Sequence, residues 1–154
     1  LYLGCGFDIR KGLFYDCPLE SIYLGRNLSY DTSEECGYSP FYKYNSTLTS
    51  ITVGDKVTDI GRNMFYGCES VVCVVLGKSV LSLGVSSFEG CKKLTELVLP
   101  DALTNIEDRA FRNCLSISSV IIPGSVTNIG DKAFNGCESF CYSIKAFHIT
   151  AFKT

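Results

Sequence analysis

The chain of 154 residues is 46% hydrophobic, so it can bury a core, and it is short enough to form a single domain over residues 1–154. Its formal net charge is -2, with 14 basic and 16 acidic residues scattered along the chain, so we expect no nucleic acid and no anionic lipid as a partner. No apolar run reaches the roughly 18 to 20 residues of a membrane-spanning helix, which predicts no direct membrane insertion. Leu1 to Gly6 lacks the features of a signal peptide, and the missing initial Met suggests a fragment of a longer chain.

Residues 1–40 carry only a faint pattern. Phe14-Tyr15-Asp16-Cys17 is similar to a motif that returns later, and Ile22-Tyr23-Leu24-Gly25 has the composition of a strand. The stretch from Arg26 to Pro40 is polar, contains Tyr, Gly and Pro, and has no periodic apolar face. We therefore interpret residues 1–40 as a degenerate first repeat followed by an insertion loop.

Residues 41–140 repeat one motif at a fixed interval. A Phe-x-x-Cys pair returns every 23 residues, and Phe41, with Tyr44 near the Cys position, extends the series towards the N terminus. A period of this length is typical of a solenoid, in which each repeat forms one coil that stacks on the next. The four clear copies are Phe65 to Cys68, Phe88 to Cys91, Phe111 to Cys114 and Phe134 to Cys137.

Each repeat begins with a predicted half-buried strand. In residues 96–99 the side chains alternate, so Leu97 and Leu99 should face the core while Glu96 and Val98 face the other way. Stacked copies of this strand would form a parallel sheet along one side of the core. The equivalent inward positions are Ile51 and Val53, Val74 and Leu76, and Val120 and Ile122.

Two shorter elements complete the repeat. After Pro100, where the chain must change direction, residues 103–106 can form a short outer strand with Thr104 and Ile106 inward. Ala110, Phe111 and Cys114 then have the spacing of one helical turn, with Phe and Cys inward.

The pattern weakens at the C-terminal end. After Cys137, Ser143 and Lys145 fall where inward Leu or Val is expected, although a slip of one residue would place Tyr142 and Ile144 there instead. We interpret residues 141–154 as an irregular terminal tail.

The consensus of these repeats resembles the BspA-type leucine-rich repeat. Ile129 to Cys137 is close to a clean copy of its first half, and the resemblance covers Val57 to Cys137 well and Leu1 to Gly25 only weakly. Glu107 departs from the pattern, because Gly61, Gly84 and Gly130 occupy its position elsewhere, and Ser87 replaces a small apolar residue. The resemblance implies a right-handed solenoid with a curved parallel sheet, found mostly in surface or secreted proteins that bind other molecules, and no catalytic residues.

The chain contains nine cysteines, several of which take the same position in successive repeats. Stacking would form a ladder with rungs about 4.7 to 4.9 Å apart and parallel side chains, whereas a disulfide needs Cβ atoms about 3.5 to 4.5 Å apart that face each other. We therefore predict that Cys68, Cys91, Cys114 and Cys137 are buried free thiols, with Cys17 in the same position of the first repeat.

No candidate catalytic or metal site emerges from the sequence. The cysteines lack the paired spacing of a zinc site, and the only histidine, His148, lies in the aperiodic tail. We find no phosphate-binding loop, Ser elbow or pair of carboxylates. We expect no metal and no cofactor, and we expect that the protein is not an enzyme.

Two features are candidates for binding. The outward strand positions form an apolar row, which could be an open binding patch, could lie beneath a neighbouring domain, or could reflect β-propensity alone. The second candidate is the Tyr-rich loop, because aromatic loops on rigid scaffolds often recognise partners. The candidate binding residues are Tyr23, Thr52, Val75, Val98 and Ile121 in the row and Tyr30 and Tyr38 in the loop.

Two classes of function fit these features. The first is a non-catalytic protein-binding or adhesion module of a cell-surface or secreted protein, with a protein or peptide ligand. The second is a structural spacer or assembly unit within a longer repeat array, with no ligand of its own. The extracellular location follows from the family resemblance, and the asparagines of Asn27-Leu28-Ser29 and Asn45-Ser46-Thr47 are glycosylation acceptors only in a secretory eukaryote.

Overall fold

The computed structural model describes residues 2–3, 18–30, 39–41, 44–137 and 141–144. These residues form a stack of coils whose strands all pair in parallel. The strands are β1 Tyr2–Leu3, β2 Ser21–Leu24, β3 Ser29–Tyr30, β4 Ser50–Val53, β5 Asp59–Ile60, β6 Cys73–Val75, β7 Ser82–Leu83, β8 Glu96–Val98, β9 Asn105–Ile106, β10 Ser119–Ile122, β11 Asn128–Ile129 and β12 Cys141–Ile144.

The longer strands form what we call the long-strand sheet, which has two hydrogen-bonded parts, β2-β4-β6-β8 and β10-β12. Its register places equivalent residues of successive repeats side by side, so that Ile51 pairs with Val74 and Val74 with Leu97. The predicted inward residues are buried, apart from the half-buried Leu97. The alternation in the sequence therefore predicted this sheet correctly.

The short strands form a second parallel sheet, which we call the short-strand sheet, in the order β11-β9-β7-β5. The prediction for Thr104 is wrong: this residue is exposed, and its hydroxyl donates a hydrogen bond to the Leu81 carbonyl at 3.0 Å. The strand proper covers only Asn105 and Ile106, so the chain bends before it and buries Leu103 together with Ile106.

The third side of each coil is a series of tight turns, residues 107–114 in one coil, which we call the Phe–Cys corner. Three successive i to i+3 hydrogen bonds fold residues 107–114, from Ala110 N to Glu107 O, Arg112 N to Arg109 O and Cys114 N to Phe111 O. The single turn predicted here is thus built from consecutive reverse turns and not from α-helical bonds. Phe111 and Cys114 are buried, as predicted.

Left-handed residues make these turns possible. Arg109 and Asn113 have φ angles of 57° and 58°, and the equivalent residues of the neighbouring coil, Lys132 and Gly136, have 55° and 78°. These left-handed residues lie four positions apart in each corner, at its start and near its end. At every second position of the corner the N–H points along the stack, so that Arg109, Phe111 and Asn113 donate to the following coil.

The core lies between the three sides and continues from coil to coil. Its largest fully buried side chains include Phe65, Phe88 and Phe111, and it contains almost entirely apolar residues. The Phe rings form an uninterrupted stack from Phe41 to Phe134, with neighbouring centroids 5.3 to 5.4 Å apart. This stack confirms that Phe41 resumes the repeat, and the buried Tyr44 confirms its place near the Cys position.

Both ends of the stack differ from the regular coils. The insertion loop predicted from Arg26 to Pro40 is wrong in its first part, because Ser29–Tyr30 forms β3 and pairs with β1, while Leu28 and Tyr30 pack against the core. At the other end, the irregular tail predicted from residue 141 is wrong for Cys141–Ile144, because these residues form β12. This strand pairs with β10 in a register that aligns Val120 with Tyr142, which is the slip of one residue given as the alternative. Cys17, Tyr38 and His148 lie outside the described residues.

Candidate functional site

The outward positions of the long-strand sheet form what we call the exposed row: Tyr23, Thr52, Val75, Val98 and Ile121. Four of these side chains are large and apolar, yet their exposed fractions are 70% for Tyr23, 52% for Val75, 77% for Val98 and 53% for Ile121. Thr52 is exposed as well. A contiguous apolar patch of this kind is uncommon on a monomer and often marks an interaction site.

The pairing of the strands fixes the spacing of the exposed row. Tyr23 pairs with Thr52, Thr52 with Val75, and Val75 with Val98, so these residues lie on adjacent rungs about 4.7 to 4.9 Å apart. Ile121 continues the row on β10, which belongs to the other hydrogen-bonded part of the sheet. Because the opposite faces of these strands are anchored in the core, the row is held on a preorganised frame.

Tyr23 lies at one end of the exposed row and does not extend straight out from the sheet. Its ring lies beside the glycines that follow two neighbouring strands: a Cβ atom at Gly54 would come within 2.5 Å of the Tyr23 hydroxyl oxygen, and one at Gly25 within 3.3 Å of the ring. The lack of side chains at Gly25 and Gly54 therefore provides the space in which this ring lies.

A second, more polar row runs beside the exposed row through Ser50, Cys73, Glu96 and Ser119. Burial, followed by the hydrogen bond to the Glu96 carboxylate, raises the pKa of the Cys73 thiol, which keeps it protonated and weakly nucleophilic at neutral pH. This row thus contributes one carboxylate and small polar groups to the border of the apolar surface.

Val72 is an exposed apolar residue that the sequence interpretation missed. It lies within the continuous apolar run from Val71 to Val75, where alternation alone cannot separate inward from outward side chains. Alignment by the period would have found it, because the equivalent residues are the polar Thr49, Thr95 and Ser118. Val72 is thus a further exposed apolar side chain in the coil that contains Val75.

The structure does not bring Tyr30 to the exposed row. Tyr30 belongs to β3 and lies beside β5, where its hydroxyl donates a hydrogen bond to the Arg62 carbonyl and its ring covers Gly61. Burial raises the pKa of this phenol well above its usual value, so it stays protonated.

The ion pairs of the described residues join neighbouring coils. Lys78 bonds Asp55 at 3.2 Å and Lys92 bonds Glu69 at 2.8 Å, each across one repeat. The backbone N–H of Lys78, followed by its side-chain ammonium, donates to the Asp55 carboxylate and holds the pKa of Asp55 below its usual value. The surface therefore offers mixed charge rather than a field of one sign.

One carboxylate is mostly buried, at the Phe–Cys corner. Glu89 accepts a hydrogen bond from the Ser86 hydroxyl at 2.6 Å and one from Arg112 Nη1 at 3.2 Å. These contacts pair the charge of Glu89 within the protein.

The part of the chain that the structure describes gathers no group of three or more His, Cys, Asp or Glu residues able to hold a metal ion. The same residues include no helix of the length and hydropathy required to cross a bilayer. What the described surface does provide is an apolar row on a rigid repeat frame.

A stack of parallel coils with a 23-residue period, stacked Phe rings and almost no helix defines a leucine-rich-repeat solenoid. The family model of the BspA type leucine-rich repeat region matches residues 8–141 with six copies. The chain therefore belongs to the BspA-type leucine-rich repeat family. No curated protein gives a significant match.

Solved structures of bacterial leucine-rich repeat proteins are similar to this chain. A protein from Bacteroides ovatus is 28% identical with a TM-score of 0.68, and the match covers 86% of this chain and 38% of that protein. One from Eubacterium ventriosum is 25% identical with a TM-score of 0.65, over 88% of this chain and 34% of that protein. The T. pallidum leucine-rich repeat protein is 25% identical with a TM-score of 0.54, over 81% and 63%. The chain thus spans little more than a third of the length of the first two.

Proposed function

We propose that this chain is a non-catalytic protein-binding module of a cell-surface or secreted protein, and that the exposed row contacts the partner. The observation that supports this most directly is the alignment of Tyr23, Val75, Val98 and Ile121, all exposed, on a sheet whose other face is the core. Leucine-rich repeats commonly mediate protein interactions, and membership of the BspA-type family favours a surface or secreted location.

The chemistry of the exposed row favours an extended peptide or a flat protein surface with apolar and aromatic side chains. The row offers apolar contact at every rung except Thr52, and Glu96 adds a charge at its border. Apolar burial would supply most of the affinity, while the rigid frame reduces the entropy lost on binding. Tyr38, in the loop, stays a predicted contact at the Tyr23 end.

The proposal can be tested with a double substitution and a matched control. Val75→Glu with Ile121→Glu places charges in the exposed row, whereas Leu81→Glu with Leu115→Glu changes two apolar residues that are also exposed but lie outside it. Circular dichroism and thermal unfolding establish that both variants fold. Peptides and small domains are then selected against the parent from a displayed library, and their affinities for the three proteins are measured.

We expect the row variant to bind the selected partners at least tenfold more weakly, because a charge must be desolvated at each of two contacts. The control variant should bind as the parent does. Equal losses in both variants, or partners that bind the row variant unchanged, would place the site elsewhere. A parent that selects no binder above background would favour the alternative role of a structural spacer.

A further inference from the structure

The short-strand sheet has one hydrogen-bond pattern that repeats from coil to coil. Two consecutive N–H groups at the start of each short strand donate to a single carbonyl of the preceding coil. Thr104 N and Asn105 N bond the Leu81 carbonyl at 2.9 and 3.1 Å, and Leu81 N and Ser82 N bond the Thr58 carbonyl at 2.7 and 3.3 Å. Each coil thus needs one correctly placed carbonyl from the coil before it.

At the start of the regular array a side chain supplies this carbonyl. Thr58 N and Asp59 N both donate to Asn27 Oδ1, at 2.8 and 3.3 Å, in the pattern that backbone carbonyls form elsewhere. The amide nitrogen of Asn27 is occupied as well, because it donates to Thr58 Oγ1 at 2.7 Å and to Asp59 Oδ2 at 3.5 Å. The Asn27 side chain therefore serves as both acceptor and donor.

A shortened coil explains why a side chain is needed. Leu24 pairs with Val53, which aligns Gly25 with Gly54, but the next strand begins at Ser29 in the first coil and at Asp59 in the second. The first coil is one residue short between these points, and β3 pairs with β1 and not with β5. A primary amide has the donor and acceptor groups of a peptide unit, so Asn27 can replace the missing backbone contact.

We infer that Asn27 is a structural adaptor, whose side-chain amide replaces a backbone peptide group and joins the irregular first coil to the regular array. This role conflicts with the glycosylation sequon Asn27-Leu28-Ser29. A glycan replaces one hydrogen of Nδ2, which now donates both to Thr58 Oγ1 and to Asp59 Oδ2, so one of these two bonds would be lost. We therefore expect the folded protein to carry Asn27 without a glycan.

The chain offers a matched pair of substitutions to test this. Asn27→Ala removes the amide and the sequon together, whereas Ser29→Ala removes the sequon and leaves the amide in place. Both proteins are produced in bacteria, without glycosylation, and hydrogen exchange is measured at the Thr58 and Asp59 amides. We expect about tenfold faster exchange in Asn27→Ala and no change in Ser29→Ala. Equal rates in the two variants would refute the adaptor role.

A third variant keeps the test decisive if Asn27→Ala folds poorly. Asn27→Asp retains an acceptor oxygen but loses the Nδ2 donor, so the two amides should keep most of the protection that they have in the parent. A loss of protection of about tenfold or more relative to the parent would contradict a role for Oδ1. In a secretory eukaryotic host, peptide mass analysis of the folded parent should show Asn27 without glycan, and a glycan there would overturn the inference.

Discussion

The Phe–Cys corner and the exposed row lie on different sides of the same coils, and they differ in how strictly the residue type recurs from repeat to repeat. At the corner the residue types recur, with Phe and Cys in every regular copy and rings stacked at nearly constant distance. Along the exposed row the period is kept but the residue changes, from Thr52 to Val75 and Ile121. The comparison separates positions determined by stacking from positions left to vary.

The physical reason is the number of contacts that a side chain at each position makes with the neighbouring coils. Phe88 stacks between Phe65 and Phe111, and its carbonyl accepts both the N–H of Cys91 and the S–H of Cys114, at 3.2 Å each. A change there alters contacts with two neighbouring coils. Val98 is joined to the preceding strand, β6, through backbone pairing, and its side chain is largely in solvent.

The largest expected effect comes from removing a stacked ring. Phe111→Ala should lower the free energy of unfolding by about 3 to 5 kcal/mol, because it leaves a cavity between Phe88 and Phe134. Urea denaturation of the variant and the parent measures the difference. A loss below about 1 kcal/mol would show that the ring stack is not the dominant contact at the corner.

The ladder thiols make a second prediction, about pH. Burial raises the pKa of Cys68 to about 12 from the ordinary value of 9.0, so the folded thiol stays protonated while the unfolded one ionises. The unfolded chain then binds fewer protons, and the stability that this thiol contributes declines as pH rises from about 9 towards 12.

A variant that lacks only the Cys68 thiol isolates this effect from the other titrating groups. Between pH 7 and pH 10 the parent should lose about 1.4 kcal/mol more stability than Cys68→Ala. Parallel losses in the two proteins would mean that Cys68 is accessible in the folded state. Alkylation under denaturing, non-reducing conditions should also modify all four ladder thiols, which a disulfide between rungs would prevent.

A third prediction concerns a flaw in the corner. Ser87 is buried and its hydroxyl has no hydrogen-bond partner, whereas the two following coils have Ala110 and Ala133 at this position. Ser87→Ala should therefore raise the free energy of unfolding by about 1 kcal/mol, since it removes an unsatisfied polar group. Thermal and urea unfolding measure the change, and a destabilised variant would indicate that the hydroxyl has a partner after all.

The smallest effect should be found in the exposed row. Val98→Thr keeps the β-branched shape and the strand propensity, and the side chain is largely in solvent already. Stability should change by no more than about 0.5 kcal/mol. A larger loss would show that Val98 is covered in the folded protein. It would also weaken the distinction between the Phe–Cys corner and the exposed row.

The elements that repeat in type were those that the sequence could predict. The inward positions of the long strands and the buried Phe and Cys follow from period and alternation, whereas the slip at β12 departs from the period and was only one of two alternatives. The five residues of the exposed row were also placed correctly on the outward face, because that face is the complement of the buried one. Whether they bind a partner does not follow from period, since solvent exposure restricts residue type only weakly.

The missed features depend on backbone conformation or on single contacts. Arg109 and Lys132 adopt a left-handed φ that no residue preference indicated, because the turn requires the conformation and these types merely tolerate it. Thr104 was misplaced because alternation was extended beyond the two-residue strand. The role of Asn27 could not be predicted either, since it arises from a coil that is one residue short.

The backbone N–H groups of the Phe–Cys corner and those of the two sheets donate hydrogen bonds in opposite directions along the stack. This difference affects how such a chain can change in length. Phe88 N donates to Ala110 of the following coil, whereas Thr95 N donates to Val72 of the preceding one. Every regular coil therefore has complementary upper and lower surfaces, and the hydrogen bonds of Thr104 and Thr127 join residues 23 apart. If one 23-residue segment of the regular part were duplicated or lost, each remaining coil would still find the same hydrogen-bond partners in its neighbours. The number of coils can therefore change by whole repeats. The first coil cannot be exchanged in this way, because it depends on the Asn27 side chain.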